Sequence, residues 1–433
     1  MFNIPTWQIA KTELAEAASS VTLTVDLNNV PFEARHLAVR INAQGTQAAV
    51  YTAIAVRLNG DTGANYNRQA LGAESSTSFT ARYNAETSFA TLFYASAASS
   101  ADEEFSGGEL LFPDAFSTRT HKSMLAYGGS NVAGSTFELS VVDESFNISE
   151  QILGADGQFT ISGISAADGD LVQIGNLRSE RSLSIDSVSI ELNGDSTATN
   201  YNLQILGGYV STKYAATANN NLTASAGTAA NLAVANAFGA VILQYPNYSD
   251  GSNDRNIISM GGVHGSPTRT YGAECAMVSY RWNNTAAITQ IKAKPGNSTN
   301  WLTNSMLSTY LVPKNLIERQ ELSGTAASVT FDYIPQTYDH LELIVYARTD
   351  RSAANDVVKM EFNGDTTTTN YDHQEIQGSS TTVSSNTDGN NNRIGVFPAA
   401  TEGANEFGVA TVTTYNYTKT DRHKHTMVTM GTT

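Results

Sequence analysis

Apolar and polar residues alternate with a period of two along much of the chain. In residues 340–348, Leu341, Leu343, Val345 and Ala347 fall on one face. In residues 357–362, Val358, Met360 and Phe362 alternate with Val357, Lys359 and Glu361, and Leu37, Val39 and Ile41 alternate with Ala38, Arg40 and Asn42. Successive side chains of a strand point to opposite sides of a sheet, so this pattern predicts half-buried strands. Strands at short spacing, polar turns and no sustained helical period predict an all-β protein built of antiparallel β-sandwich, jelly-roll-like domains. Short helices are expected at residues 12–18 and 88–98. The low-complexity stretches 217–230 and 379–392 read as long surface loops.

The strand pattern comes in three copies. Leu58-Asn59-Gly60-Asp61 is followed by Asn65-Tyr66 and Gln69, Leu192-Asn193-Gly194-Asp195 by Asn200-Tyr201 and Gln204, and Phe362-Asn363-Gly364-Asp365 by Asn370-Tyr371 and Gln374. A polar residue and a leucine, His36-Leu37, Asp170-Leu171 and His340-Leu341, precede each Asn-Gly by the same 23 positions. Glycines 128, 261 and 431 follow at 68, 67 and 67 positions. Three landmarks in register predict three tandem domains, 21–150, 158–313 and 320–433, after an anchor segment, 1–20. Short linkers, 147–157 and 313–320, predict a fairly fixed relation between them. Each copy is long enough to fold alone, so the repetition is expected to add reach or valency rather than to build a shared core.

Asn and Gly tolerate positive φ, and each Asn-Gly-Asp therefore reads as a tight turn closing a hairpin. The copies also differ. The second runs on through Trp282 and Ile291 to Val312, the first has a short counterpart at residues 136–142, and the third stops two residues past Gly431. A sandwich lacking its last strands exposes unpaired edges. The expectation is a continuation beyond Thr433, or missing strands supplied by a neighbouring chain.

Composition narrows the functions. The 433 residues carry 41 acidic and 25 basic side chains, a net charge of −16. That balance argues against nucleic acid and anionic membrane surfaces, which need clustered Lys and Arg. With Cys275 the only cysteine, an intrachain disulfide and a cysteine-based metal site are excluded. The first twenty residues lack a basic start followed by an apolar stretch, so a secretory signal is not expected and synthesis is assigned to the cytoplasm.

Candidate chemistry is weighed against simpler explanations. Asp61, Asp195 and Asp365 could offer oxygen to calcium, but one carboxylate per motif favours a turn. His423 and His425, two apart, could share a strand face and bind metal, with His121 near the matching place in copy one. Copy two has no histidine there, so two polar residues near a strand start are favoured. Asp102, Glu103 and Glu104 are adjacent, and a glycosidase pair needs a set separation in space; a solvated acidic loop is favoured. There is no Gly-x-Ser-x-Gly elbow and no phosphate-binding glycine loop, and Cys275 reads as a buried strand residue. Tyr245, Tyr248, Tyr415 and Tyr417 sit among polar residues that suit sugars, although sheets favour tyrosine anyway. No catalytic, cofactor-binding or metal-binding residue is assigned, and no enzyme activity or cofactor is expected.

Asn363 to Tyr371, Met260-Gly-Gly262 and the stretch from Trp282 to Thr289 resemble modules in structural proteins of tailed bacteriophages. The likeness covers most of residues 20–433. It implies a β-sandwich, location in the virion and no catalytic residues. The chain is thus expected to be a virion appendage, tail or head fibre, or capsid decoration protein contributing to host-surface attachment. Its expected partners are other virion proteins, further copies of itself (a trimer favoured) and host-surface glycan. The alternative is a carbohydrate-binding module protein recognising host polysaccharide.

Overall fold

The computed structural model describes residues 36–49, 51–74, 77–86, 90–97, 106–113, 115, 122–129, 136–144, 158–162, 164, 170–209, 212–233, 235, 237–246, 248–249, 254–264, 273–297, 300–312, 317–338, 340–379, 381–403, 406–415, 417–420 and 423–431. The expected anchor, the 12–18 helix, the linker 147–157 and residues 102–104 and 121 lie outside them. Regular structure in the described residues is almost entirely antiparallel β, as the period-two pattern predicts.

The first repeat holds β1 (Leu37–Ala43), β2 (Tyr51–Val56), β3 (Tyr66–Glu74), β4 (Thr77–Glu86), β5 (Ala90–Ser96), β6 (Ser106–Phe112), β7 (Lys122–Gly129) and β8 (Thr136–Glu144). The second holds β9 (Phe159–Ser162), β10 (Asp170–Leu177), β11 (Ile185–Leu192), β12 (Tyr201–Tyr209), β13 (Thr212–Asn219), β14 (Thr223–Ala229), β15 (Gly239–Tyr245), β16 (Arg255–His264), β17 (Ala273–Trp282), β18 (Gln290–Pro295) and β19 (Met306–Val312). The third holds β20 (His340–Ala347), β21 (Asn355–Lys359), β22 (Asp372–Ser379), β23 (Thr382–Gly389), β24 (Arg393–Pro398), β25 (Gly408–Tyr415) and β26 (His425–Gly431).

One strand order recurs. The large sheet of the first repeat runs β1-β6-β7-β8-β3-β4, and that of the second runs β10-β15-β16-β17-β12-β13 with β19 added beside β10. In the third, β20-β25-β26 and β22-β23 form separate sheets. The smaller sheets match as well: β2 pairs with β5, β11 with β14 and β21 with β24, and among the described residues only the second repeat adds β18 and β9. Register places Gly129, Gly262 and Gly431 at one equivalent position, opposite Gly107, Ala240 and Val409. The segment 317–338 has no regular structure and is mostly exposed, so the third repeat's first described strand starts at His340.

In the second repeat both sheets feed one apolar core. Leu171, Leu243, Tyr280 and Trp282 come from the large sheet, and Val188, Ile190, Ile291 and Ala293 from the small one. A second cluster draws on all three repeats: Leu71, Leu125 and Tyr127 from the first, Ile174, Leu206 and Met260 from the second, Tyr415 and Met427 from the third. The expectation that the copies would not share a core is therefore corrected. Apolar residues on the outer faces of the large sheets, which an isolated repeat would expose, are covered by the neighbouring repeats.

The three hairpins β3-β4, β12-β13 and β22-β23 touch pairwise in a closed ring. Glycines permit the approach. A Cβ on Gly208 would stand 2.5 Å from Thr80 Oγ1, and one on Gly378 3.1 Å from Leu206 Cβ and 3.2 Å from Ala215 Cβ. Leu71 and Thr80 are cross-strand partners, and so are Leu206 and Ala215. Each glycine thus lies over the same pair of the preceding repeat.

Three further expectations are corrected. Residues 90–96, within the expected 88–98 helix, form β5, because Thr91, Phe93 and Tyr94 favour a strand and β2 is there to pair with them. Much of 217–230 and 379–392 belongs to β13, β14 and β23 rather than to loops. Ser, Thr and Asn hide the apolar alternation, but the backbone pairs regardless. Finally, 136–142 is a full strand, β8, equivalent to β17, since both pair with the same two neighbours.

Candidate functional site

The Asn-Gly-Asp motifs are turns with one geometry. Asn59, Asn193 and Asn363 have φ of 51°, 52° and 53°, and the following glycines have φ of 70° to 74°. Positive φ at both central positions is what Asn-Gly supplies at least cost. The Asp amide closes each turn on the carbonyl of Leu58, Leu192 or Phe362 at 2.9 Å. These turns do not close hairpins, however. Each carries the chain from the small sheet to the large one, as from β11 to β12. Local sequence encodes the turn, whereas which sheet receives the next strand is a tertiary matter.

Each Asp side chain accepts two hydrogen bonds from its own motif, and Asp195 a third from outside it. Asp195 accepts from the Thr197 amide at 2.9 Å, Asn200 Nδ2 at 2.8 Å and Trp282 Nε1 at 2.8 Å. Asp61 accepts from the Gly63 amide at 2.7 Å and Asn65 at 2.8 Å, and Asp365 from the Thr367 amide at 2.9 Å and Asn370 at 2.8 Å. The Asn65 and Gly63 donors hold Asp61 below its ordinary pKa, and Asn370 and Thr367 do so for Asp365. At Asp195 partial burial acts upward, and the Trp282, Asn200 and Thr197 donors outweigh it. The motif tyrosine locks the turn from below. Tyr201 Oη accepts from the Leu192 amide at 3.0 Å and donates to the Asp195 carbonyl at 2.8 Å. Tyr66 and Tyr371 repeat both bonds.

The other sequence candidates disperse. His423 is exposed, whereas His425 is half-buried beside Tyr415 and against Gly107 of the first repeat. Burial pushes the His425 imidazole down to about 4. The described residues bring no group of three His, Cys, Asp or Glu side chains together as a metal set. Cys275 is a buried strand residue within the shared core. Tyr245, Tyr248 and Tyr415 are buried, so those rings offer no stacking face for a sugar.

Two features escaped sequence reasoning. The first is a charged junction between repeats. Glu109 is buried, 3.2 Å from Arg40 Nε, and accepts a 2.6 Å bond from Tyr127 Oη. Glu342 of the third repeat is pushed up to about 7, chiefly by burial, with Asp170 of the second repeat and Glu109 of the first adding like charge and Arg40 opposing. One carboxylate from each repeat meets here, which no single-repeat pattern could signal.

The second is a groove of about 1230 Å³ between β22 and β26 of the third repeat, walled on one side by Leu206, Ile258 and Met277 of the second. Its lining includes Phe362, Tyr371, His373, Glu375, Arg393 and Met430. Glu375 lies 3.2 Å from Arg393 and 3.6 Å from His373. Burial raises the Glu375 carboxyl, and the Arg393 guanidinium opposes that.

No family model, no curated protein and no solved structure matches this chain.

Proposed function

We propose that this protein is a structural component of a tailed-bacteriophage virion, an appendage, fibre or decoration protein, and that each repeat is a two-sheet β-sandwich of jelly-roll type. The observation that carries the reading is the ring of three repeats closed over one apolar cluster. Such a ring is a rigid block whose outward ends can be varied without disturbing the centre. Rigid blocks that expose many loops suit an assembly that must endure outside a cell and touch a host surface. The motif resemblance at Asn363–Tyr371 and Trp282–Thr289 supports the same reading.

The test is presence in particles. Virions purified from a lysate in which the chain is made should contain it in stoichiometric amount by mass spectrometry. An antibody raised against residues 340–431 should decorate them in electron micrographs. Particles of full infectivity that lack the chain would overturn the proposal. Homotrimeric assembly belongs to it too, each chain bringing one ring. A native mass that stays at the 46.2 kDa of one chain would remove that part.

A further inference from the structure

The first and second repeats each seat a strand where the third holds its groove. β8 lies between β3 and β7, and β17 between β12 and β16, antiparallel to both neighbours. Among the described residues, the equivalent strands β22 and β26 pair on one side only, with β23 and β25. Their other edges border the same opening. We propose that this groove is a strand-acceptor site, which takes one extended peptide strand donated by a partner polypeptide into the place that β17 fills in the second repeat.

The repeats define the chemistry of that strand. Pairing from Tyr201 to Tyr209 spans nine residues, so the donor is of about that length. Both its edges must supply amide donors, which excludes a central proline. Trp282 stands opposite Tyr201, and its indole gives Asp195 a third hydrogen bond. Tyr371 and Asp365 keep the rest of that arrangement, so an aromatic N–H donor belongs opposite Tyr371. Inward, His373 and Glu375 replace Leu203 and Ile205, so the donor's inner face meets a polar His–Glu–Arg cluster rather than an apolar wall. Outward, Cys275 and Met277 adjoin the shared core, and Ile376 and Met427 await small or apolar residues of the same kind.

The chain's own segments fit poorly. Outside the described residues the tryptophan-bearing stretch is residues 2–9, and Pro5 interrupts it. In a second copy, β17 is already held between β12 and β16. A strand supplied in trans by a partner polypeptide would be bound by edge pairing on both sides.

The test uses the 433-residue chain and a synthetic peptide of the sequence Ala273–Trp282 as probe. Hydrogen exchange should slow in both β22 and β26 on peptide addition. A peptide carrying Val278→Pro should bind at least about tenfold more weakly, since it loses a central donor. Failure of the peptide to protect both edges overturns the proposal, and so does equal binding of the proline peptide. Protection of both edges in the free chain also overturns it, assigning the groove to residues 1–35 if it persists on dilution and to a second copy if it vanishes.

Discussion

The indole of Trp282 donates to Asp195 Oδ2 at 2.8 Å across 87 positions of sequence. That bond ties the end of β17 to the turn between the two sheets. Tyr201 lies between them, stacked on Trp282 at 6.4 Å and on Tyr280 at 5.4 Å. Replacing Asp195 with Ala removes the acceptor for Thr197, Asn200 and Trp282 together. The expected loss is about 1–3 kcal/mol of unfolding free energy, measured by urea denaturation. Asp61→Ala, whose carboxylate has no indole partner among the described contacts, should lose less.

Gly378 sits on the Leu206–Ala215 pair of the second repeat. Gly378→Val would push side-chain carbon into atoms 3.1–3.2 Å from the first added one, the Ile205 carbonyl among them. Overpacking of this kind costs about 1–3 kcal/mol. Because the repeats share a core, the loss should move one common unfolding transition. A shift confined to the third repeat, seen by hydrogen exchange, would contradict the shared core.

His425 should weaken the fold in acid. Its folded pKa is about 4, below the ordinary 6.5, because burial disfavours the charged ring. The unfolded chain binds a proton that the folded one refuses, so stability falls as pH drops from 6.5 towards 4. The slope approaches about 1.4 kcal/mol per pH unit. His425→Leu should flatten that limb of the stability profile.

Glu342 acts in the opposite direction. Its folded pKa is about 7, above the ordinary 4.5. Ionisation opposes folding, so its contribution declines as pH rises from 4.5 to 7 and is constant above. Glu342→Gln should remove the decline, and stability measured at pH 5 and pH 8 in both proteins checks it.

Glu109 joins Arg40 and Tyr127 in the buried junction. Glu109→Ala leaves a guanidinium and a phenol without their shared acceptor. A loss of about 3 kcal/mol is expected from thermal or chemical denaturation. The double variant with Arg40→Met should recover part of it, since the stranded charge is gone.

The repeat and its turn were legible from the chain alone. Asn59, Asn193 and Asn363 have positive φ, their glycines follow, and each motif's Tyr hydroxyl bonds its own Asp carbonyl within a few residues. These are local interactions, so local sequence determines them. The period of two likewise announced strands wherever apolar residues marked one face. It was silent at the end of β13, Ala216-Thr217-Ala218-Asn219, and at β23, where Ser, Thr and Asn predominate.

What the tertiary structure decided is which surfaces meet. Alternation says that a strand has two faces, but not that Leu71, Leu206 and Ile376 turn theirs towards a common centre. Nor does it say that Arg40, Glu109 and Glu342 converge from two ends of the chain. The β22–β26 groove is visible only once β8 and β17 are seen to fill its counterparts. Backbone conformation is set by neighbours a few residues away. The pairing of sheets is set by buried area summed over residues hundreds of positions apart.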